Sequence, residues 1–535
     1  MLTKKVGRWI KMLDGSTDAT LQKLKQIYGD KPKVIQERRQ TFLAVVEEFG
    51  RVYGCDKDVF IVRAPGRVNL MGVHIEHQGG YGNYVTVNKE IIMVTNKRED
   101  DRVVMHNTDS RRFGPRSFYI SEELKREDRG DWLNYIDKIK IVPGDWSNYI
   151  KAAVLSLQDK YADLELKGMN IMVNGNIPAS GGLSSSSAIV ISTALATVKV
   201  NDLDISREAS VDLCGTGEWF VGTRGGAGDH AAMLLGKRGF ISHVKFFPFK
   251  LDFFPFPKGY EIVVCDSFKE ARKGAEAKSL FNEKVATYEI GLMLIQELFP
   301  RFADRLHRLT AVNAQNLDSD EASIYRILKS LPEVISRKEL LKRLTHQREK
   351  LNNIFKTHCD PQEGYKVRQV CLFGLAENQR AEIFANLLKN KNIKELGKLM
   401  FISHDGDRIV KFDQAGNKSK RDNRVTGEYL DGLIEDLQSG EPARVKRAQL
   451  RYQPGGYGCS IEELDRLVDI ASHVEGVIGA RLTGAGLGGC VVAIVKAEKV
   501  KKFKQAIREN YYIPKKLPFG DDVCVTVGGA GILDL

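Results

Sequence analysis

The sequence lacks three patterns that would place a protein in a familiar class at once. No run of 18 or more apolar residues occurs, so the sequence predicts no membrane-spanning helix. The N-terminal stretch MLTKKVGRWIKMLDGS lacks the apolar core of a secretory signal. The eight cysteines are scattered and no C-x-x-C pair occurs, which argues against a zinc knuckle or a redox pair. These absences favour a cytoplasmic protein with reduced thiols.

The composition is ordinary for a globular protein, apart from an excess of basic residues. The chain has 535 residues, of which 42% are hydrophobic and 28% charged, and its net charge is +12. A single hydrophobic core stops growing below this length, so we expect two or more domains. The positive charge is spread along the chain and forms no stripe with aromatic residues. We therefore expect neither a nucleic acid nor a membrane as partner, whereas small phosphorylated ligands remain compatible with this charge.

Two glycine-containing stretches bring chemically useful groups together. The first, GRVNLMGVHIEHQGG (66–80), combines an arginine, an asparagine, two histidines and a glutamate within fifteen residues. His74 and His77 lack a third ligand nearby in the sequence, so no structural metal is predicted there. The second, PASGGLSSSSA (178–188), follows a predicted strand and opens a predicted helix. Its glycines, hydroxyls and free helix N–H groups suit phosphate, although the G-K-[ST] of a Walker A loop is absent.

The third glycine-containing stretch is TGAGLGG (483–489), which literally matches G-x-G-x-x-G. A strand, CVVAIV, follows it rather than a helix, so a dinucleotide-binding loop is not predicted. We instead predict a turn between two strands, in which small residues are needed because another segment packs against it.

The hydrophobic pattern predicts an α+β protein with antiparallel strands. The sequence SIEELDRLVDIASH (460–473) predicts a helix with Ser460 as N-cap and Glu463 completing a capping box. The other predicted elements are a helix over 19–54, a strand at 58–66, an antiparallel pair within 82–98, a strand at 168–178, strands within 239–267 and a mostly helical segment from 277 to about 400.

Together the three stretches resemble the motifs of the GHMP kinases and, within them, of the galactokinase family. That family has a first motif like GRVNLIGEHTDYNQG, a phosphate loop like P-x-x-x-GLSSSA and a third motif like MTGGGFGGC. Weaker matches occur in the same order at DWSNYIKAAV (145–154), GEWFVGTRGGAGDHAAM (217–233), GKLMFISH (397–404) and GCSIEELDRLV (458–468). The resemblance covers the chain from about residue 58 to its end.

The resemblance implies a two-domain GHMP kinase fold, with mixed or antiparallel sheets and an active site in the cleft between domains. It divides the chain into an N-terminal helical extension (1–57), an N-terminal kinase domain (58–256) and a C-terminal kinase domain (257–535). The implied activity is that of a sugar 1-kinase, in which the anomeric hydroxyl of a galactose-type sugar attacks the γ-phosphate of ATP.

The resemblance also implies roles for individual residues. Arg67 would offset charge between nucleophile and phosphate, and Asp229 would accept or orient the proton of the 1-hydroxyl. Mg²⁺ would be held by Ser185 and Glu218, or by Ser184 or Ser186 after a slip of one residue. The implied ATP-binding residues are Pro178, Gly181, Gly182, Leu183, Ser184, Ser185, Ser186, Gly484 and Gly486. The implied substrate-binding residues are Val73, His74, Glu76, His77 and Gly226.

The first motif departs from the family at Val73, where galactokinases have a glutamate that helps hold the C6 hydroxyl. His77 stands in place of a tyrosine, and Glu76 in place of an aspartate. A buried glutamate would repel a sugar that carries a carboxylate at C6, whereas valine removes that repulsion and His77 offers a donor that can be charged. This resembles the galacturonokinase motif G-A-H-I-D-H-Q-G-G, so galacturonate is the expected substrate. Galactose, another hexose or pentose, and a catalytically silent sugar-sensing regulator remain alternatives.

Overall fold

The computed structural model describes residues 2–15, 18–178, 181–222, 225–270 and 275–535, with the main chain alone at 275–277. The strands are β1 (Lys4–Lys5), β2 (Asp58–Met71), β3 (Tyr81–Lys97), β4 (Arg102–Asn107), β5 (Arg116–Tyr119), β6 (Met169–Gly175), β7 (Phe240–Lys245), β8 (Lys250–Pro255), β9 (Tyr260–Asp266), β10 (Val410–Phe412), β11 (Lys418–Lys420), β12 (Val477–Leu482), β13 (Cys490–Lys496), β14 (Asp521–Cys524) and β15 (Gly531–Ile532).

Helices account for most of the remaining chain. They are α1 (Val6–Asp14), α2 (Asp18–Tyr28), α3 (Pro32–Tyr53), α4 (Ile120–Glu123), α5 (Trp132–Lys138), α6 (Ser147–Lys160), α7 (Ser185–Val200), α8 (Arg207–Glu218), α9 (Gly228–Leu235), α10 (Ala275–Leu298), α11 (Glu321–Ser330), α12 (Arg337–Arg343), α13 (Arg348–Phe355), α14 (Val367–Lys389), α15 (Ile393–Asp407), α16 (Gly427–Gln438), α17 (Pro442–Ala448), α18 (Glu462–Ser472) and α19 (Val500–Ile507). Within the described ranges, no helix is both long and apolar enough to cross a membrane.

Two main sheets organise these elements, which confirms the predicted α+β class. A nine-stranded sheet has the order β1-β2-β3-β6-β4-β5, with β15 beside β2, β7 beside β3 and β8 beside β7. A four-stranded sheet has the order β12-β13-β9-β14. Most strand pairs are antiparallel, whereas β4 and β6 are parallel. Strand β1, near the start of the chain, and strand β15, near its end, both belong to the first sheet. The predicted division into domains stays a prediction.

The antiparallel pair predicted within 82–98 is wrong, because this segment forms the single strand β3 of 17 residues. The charged pair Lys89-Glu90 looks like a turn in the sequence, yet Glu90 is fully buried within the sheet. Its carboxylate accepts hydrogen bonds from Arg63 at 2.7 Å and from the hydroxyl of Tyr28 at 2.6 Å. A buried charge with such partners is tolerated in a strand interior, so the strand continues through it.

The N-terminal extension packs against one face of the nine-stranded sheet. The helix predicted over 19–54 is in fact α2 and α3, separated where Gly29 takes a φ of 76° and Pro32 opens α3. Trp9 and Phe42 from this extension share a buried apolar cluster with Ile61 and Ile92 of the sheet. The extension therefore covers apolar sheet surface that would otherwise face water.

We expect Tyr28→Phe to destabilise the protein by about 1–3 kcal/mol, because it removes a hydrogen bond to a buried carboxylate. The measurement is the free energy of unfolding in urea. Tyr161→Phe is the matched control, since its hydroxyl donates to the carbonyl of Asp204 at an exposed site. The control should lose about 1 kcal/mol or less. Equal losses in both variants would contradict a special role for the Tyr28–Glu90 contact.

The capping box predicted for the helix at 460–473 is also wrong. Helix α18 begins at Glu462, and its N-cap, Ile461, makes no side-chain capping bond. Ser460 instead donates its hydroxyl to Asp465 at 2.5 Å. Asp465 also accepts the backbone N–H groups of Ile409 and Val410, so the serine binds a side chain that tertiary contacts hold, rather than a free backbone N–H group of the helix.

Candidate functional site

Residues from all three glycine-containing stretches line a single cleft of about 730 Å³. The predicted site residues along it are Arg67, Val73, His74, Glu76, Pro178, Gly181, Gly182, Ser184, Ser185, Ser186, Glu218, Gly226, Asp229, Gly484 and Gly486. Two predicted residues do not line the cleft. Leu183 is fully buried in the apolar core and contributes only its carbonyl, which accepts the N–H of Arg67 at 3.3 Å. His77 is half-buried, with its Nε2 atom fully buried.

The second and third stretches pack directly on each other through their glycines. A Cβ atom on Gly182 would lie 2.2 Å from the carbonyl oxygen of Thr483, and one on Gly484 would lie 2.7 Å from the Cα of Gly182. Thr483 also accepts the N–H of Asn69 through its hydroxyl at 3.0 Å, which joins the first stretch to the third. The third stretch connects β12 and β13, which pair antiparallel. The prediction of a strand–turn–strand that needs small residues is therefore confirmed.

Arg67 and Asp229 form a bidentate ion pair at the centre of the cleft. Both the Nε and Nη2 atoms of Arg67 donate to the carboxylate of Asp229 at 2.5 Å, and Nη1 donates to the carbonyl of Gly182 at 2.6 Å. Ser184, which opens the phosphate-loop helix, donates its hydroxyl to the same carboxylate. Arg67 lies on β2 and Asp229 in the first turn of α9, and these residues, 162 positions apart in the sequence, meet beside the phosphate loop.

The charge state of Asp229 follows from these contacts. Burial raises the pKa of this carboxyl, but the ion pair with Arg67 and the hydrogen bonds from Arg67 and Ser184 outweigh burial and hold the pKa below its usual range. Asp229 is therefore ionised at neutral pH. Its side chain is still 28% exposed to the cleft, whereas that of Arg67 is only 5% exposed. The carboxylate remains accessible to a ligand while the arginine fixes its orientation.

Glu218 is the second acid of the cleft. It accepts the hydroxyl of Ser187 at 2.7 Å and lies 2.9 Å from Nε2 of His230. Burial raises its pKa, but hydrogen bonds from His230, Ser187 and Ser186 together lower it. Among the serines of the loop, Ser187 makes the hydrogen bond to Glu218, and Ser186 is near enough to help lower the pKa of this carboxyl. Which serine is the second Mg²⁺ ligand stays a prediction, with Ser185 as the first choice and Ser184 or Ser186 as the alternatives.

The other end of the cleft carries Glu76, which is held by small neighbours. A Cβ atom on Gly226 would lie 2.4 Å from the Cγ of Glu76, so only glycine fits there. Burial raises the pKa of Glu76, and the nearby charge of Asp229 raises it further. One of its carboxyl oxygens, Oε2, is buried without a hydrogen-bond partner. Such an oxygen can accept a hydrogen bond from a ligand hydroxyl.

The expectation that His77 supplies a charged donor is wrong. Burial, together with the neighbouring His74, lowers the pKa of His77 to about 4, so its imidazole is neutral at physiological pH. The ring lies 5.7 Å from that of Tyr288. His74 has a φ of 62° and stacks on Tyr457 at 4.3 Å, with its Nε2 atom 3.5 Å from Asp407. His77 thus lies beside Tyr288 of α10, whereas His74 lines the cleft beside Tyr457 and Asp407.

Val73 is both a cleft residue and a core residue. Its side chain is 3% exposed and belongs, with Ile75, to the apolar core around α10 and α14. Its backbone N–H donates to Glu377 of α14 at 3.2 Å, as does that of Gly72 at 2.8 Å. Helix α14 therefore holds the backbone at the position where the family has glutamate.

Sequence reasoning assigned no role to the aromatic end of the cleft. Phe113 and Trp146 meet there at 6.2 Å in an edge-on arrangement, and Tyr149 lines the same wall. Two of these three residues lie in DWSNYIKAAV, a segment that resembles the family but whose aromatic residues received no predicted role. Glu377 was also missed, because a lone glutamate in a helix carries no pattern that distinguishes it from a surface residue.

Three family models match separate parts of the chain. The model of the GHMP kinases N terminal domain matches residues 148–237, and that of the GHMP kinases C terminal matches 433–513. The galactokinase galactose-binding signature matches residues 47–97, which include the first glycine-containing stretch. The three matches include Arg67, Asp229 and Gly484, whereas Phe113 and Trp146 of the cleft lie outside them.

Relatives of known function match over nearly the full length. Galactokinase of Dictyostelium discoideum is 25% identical over 93% of this chain and 93% of its own length. Galactokinase of Halalkalibacterium halodurans is 26% identical over 91% and 96%, respectively. The crystal structure of Lactococcus lactis galactokinase complexed with galactose superposes with a TM-score of 0.62 at 22% identity, covering 92% of this chain and 99% of that one. This confirms the predicted fold.

Proposed function

Since the chain belongs to the GHMP kinase superfamily and, within it, to the galactokinase family, we propose that it transfers the γ-phosphate of ATP to the anomeric hydroxyl of galactose. The membership makes the protein an ATP-dependent sugar 1-phosphotransferase. The choice of galactose, the roles of individual residues and the use of Mg²⁺ belong to the proposal.

The observation that carries the proposal is the assembly of Arg67, Asp229 and Ser184. It lies where the phosphate loop meets the first motif, so a γ-phosphate on the loop and a sugar on the motif would meet at these groups. Phosphoryl transfer depends mainly on positioning and on neutralisation of charge. Arg67 supplies the positive charge, and the ionised Asp229 accepts or orients the proton of the attacking hydroxyl.

The cleft also offers a place for each end of the nucleotide. The N-terminus of α7 and the glycines at 181 and 182 would face the phosphates with backbone N–H groups. Gly484 and Gly486 would close the loop from the opposite side. We assign the base to the aromatic wall formed by Phe113, Trp146 and Tyr149, because planar bases stack on aromatic side chains.

The donor set around Glu218 fits Mg²⁺, which prefers a few protein oxygen ligands and keeps several for phosphates and water. Glu218 and the hydroxyl of Ser186 would hold the ion. Across the described residues, no group of three or more histidine, cysteine or acidic side chains is placed to hold a metal ion. When bound, Mg²⁺ would neutralise charge on the phosphate oxygens.

We expect Ser186→Ala to raise the Mg²⁺ concentration needed for half-maximal activity by about three- to tenfold, because one hydroxyl ligand is lost while phosphates and water still hold the ion. The measurement is a Mg²⁺ titration at fixed, saturating ATP and sugar. Ser185→Ala is the matched control and should leave the requirement nearly unchanged. If only Ser185→Ala raises it, the first-choice register is correct and the assignment to Ser186 is wrong.

The sugar end of the cleft favours a neutral sugar over a uronic acid. Galacturonate would bring a carboxylate towards the Glu76 carboxyl, and the neutral His77 offers no positive charge to compensate for it. The unpartnered Oε2 atom of Glu76 instead suits a sugar hydroxyl. The printed names of the relatives point the same way, since they are galactokinases. We therefore prefer galactose to galacturonate, which was the expectation from the sequence.

The proposal is tested by measuring ADP release with galactose, galacturonate, glucuronate, fucose, arabinose and N-acetylgalactosamine. We expect galactose to give the highest kcat/KM, and nuclear magnetic resonance of the product should place the phosphate on C1. A higher kcat/KM for galacturonate would overturn the choice of sugar while leaving the kinase assignment intact. ATP-dependent turnover with none of the sugars would favour the silent sugar-sensing regulator.

A further inference from the structure

Glu377 of α14 is a fully buried carboxylate that receives five hydrogen bonds. Its Oε1 atom accepts the backbone N–H groups of Gly72 and Val73 and Nη1 of Arg481, the last at 2.9 Å. Its Oε2 atom accepts Nε of Arg380 at 2.8 Å and the hydroxyl of Ser403 at 2.7 Å. The side chains of Glu377, Arg380 and Arg481 are all 0% exposed.

These contacts join two parts of the site that are far apart in the sequence. Gly72 and Val73 belong to the first stretch, and Arg481 lies on β12 shortly before the glycines of the third stretch. Ser403 belongs to GKLMFISH, a segment to which the proposed catalytic steps give no role. We propose that Glu377 is a positioning residue that sets the sugar-facing backbone of the first stretch, an inference that rests on the proposed function for its kinetic consequences.

The backbone beside this contact needs external support. Gly72 has a φ of 92°, and a Cβ atom there would lie 2.0 Å from the carbonyl oxygen of Tyr81, so only glycine fits. His74, two residues further on, has a φ of 62°, which is uncommon for a residue with a side chain. Conformations of this kind persist where surrounding contacts fix them. Glu377 supplies two such contacts and thereby fixes the backbone conformation that positions Val73 and His74.

The contact requires a carboxylate rather than any polar side chain. All five groups around Glu377 are donors, so the amide nitrogen of a glutamine would face donors whichever way it turned. The carboxylate charge also compensates two buried guanidinium groups, and these arginines lower its pKa against the opposing effect of burial. Glu377→Gln is therefore nearly isosteric but removes the function of the group.

The nucleotide side of the site should depend less on Glu377. The third stretch is also held by the hydrogen bond from Asn69 to Thr483 and by the packing of Gly484 on Gly182. We therefore expect Glu377→Gln to raise the KM for galactose by at least about tenfold and to change the KM for ATP by less than about threefold. A purely structural role would lower the amount of active enzyme without this split between the two KM values.

Hydrogen–deuterium exchange tests the same inference without any substrate. The N–H groups of Gly72 and Val73 should exchange at least about tenfold faster in Glu377→Gln, because their acceptor is lost. Asp469→Asn is the matched control, since Asp469 is 6% exposed and accepts Arg408 and the N–H of Phe412 away from the cleft. The control should match the loss of thermal stability but leave the KM for galactose and the exchange of these two amides unchanged.

Ser403→Ala keeps the test decisive if Glu377→Gln fails to fold. It removes one of the five donors and leaves the carboxylate, so we expect a rise of about two- to fourfold in the KM for galactose and faster exchange at residues 72 and 73. Wild-type exchange at both amides in every folded variant would overturn the inference. Wild-type enzyme without turnover on galactose would instead overturn the proposed function, and the exchange result would still decide the role of Glu377.

Discussion

Asp229→Asn should lower kcat by at least about a hundredfold while leaving the affinity for ATP nearly unchanged. The native carboxylate is ionised because Arg67 and Ser184 hold its pKa low, so it can accept or orient the proton of the attacking hydroxyl. An asparagine amide has the same shape but carries no charge and cannot take up that proton. The measurements are steady-state kcat with saturating galactose and ATP, and the Kd for ATP by calorimetry.

Asp252→Asn is the control for this experiment, because Asp252 lies on β8 and does not line the cleft. It should retain wild-type kcat. Wild-type turnover in Asp229→Asn would show that the carboxylate is not needed for catalysis. A large loss of ATP affinity in that variant would instead assign Asp229 to nucleotide binding.

Val73→Glu should shift the substrate preference towards galactose. The introduced carboxylate would restore the family's acceptor for the C6 hydroxyl and would repel a carboxylate at C6 in a partly desolvated cleft. We expect the ratio of kcat/KM for galactose to that for galacturonate to rise by about a hundredfold, which corresponds to about 2.7 kcal/mol. The ratio is the quantity to measure, because any instability from a charge at this buried position affects both substrates alike.

Val73→Gln is the matched variant, since glutamine has the size of glutamate without its charge. It should change the ratio of the two kcat/KM values much less. That result would show that charge repulsion, and not the larger size of the side chain, causes the effect of Val73→Glu. A flat ratio in Val73→Glu would show that Val73 does not face C6. In that case the valine serves only the apolar core around α10 and α14 that it shares with Ile75.

The sequence by itself determined the kind of protein and most of its cleft. Ordered motifs around Arg67, Ser184, Asp229 and Gly484 predicted the family, the fold and the phosphate loop, because close backbone approach and anion binding demand particular residues at fixed local spacing. The turn at the third stretch followed from the strand pattern on both sides of it. These motifs and this turn depend on residues that are neighbours in the sequence, so they can be predicted from the sequence directly.

The tertiary structure decided everything that depends on distant neighbours. His77 is neutral because the fold buries it beside His74, and a sequence shows neither burial nor proximity. Ser187, which no motif singled out, donates its hydroxyl to Glu218, because the first turn of α7 selects which hydroxyl faces α8. Glu377 holds the first stretch from 304 positions away, through contacts that no local spacing predicts. The charge state of a side chain and the direction in which it points are set by packing, so they became known only with the fold.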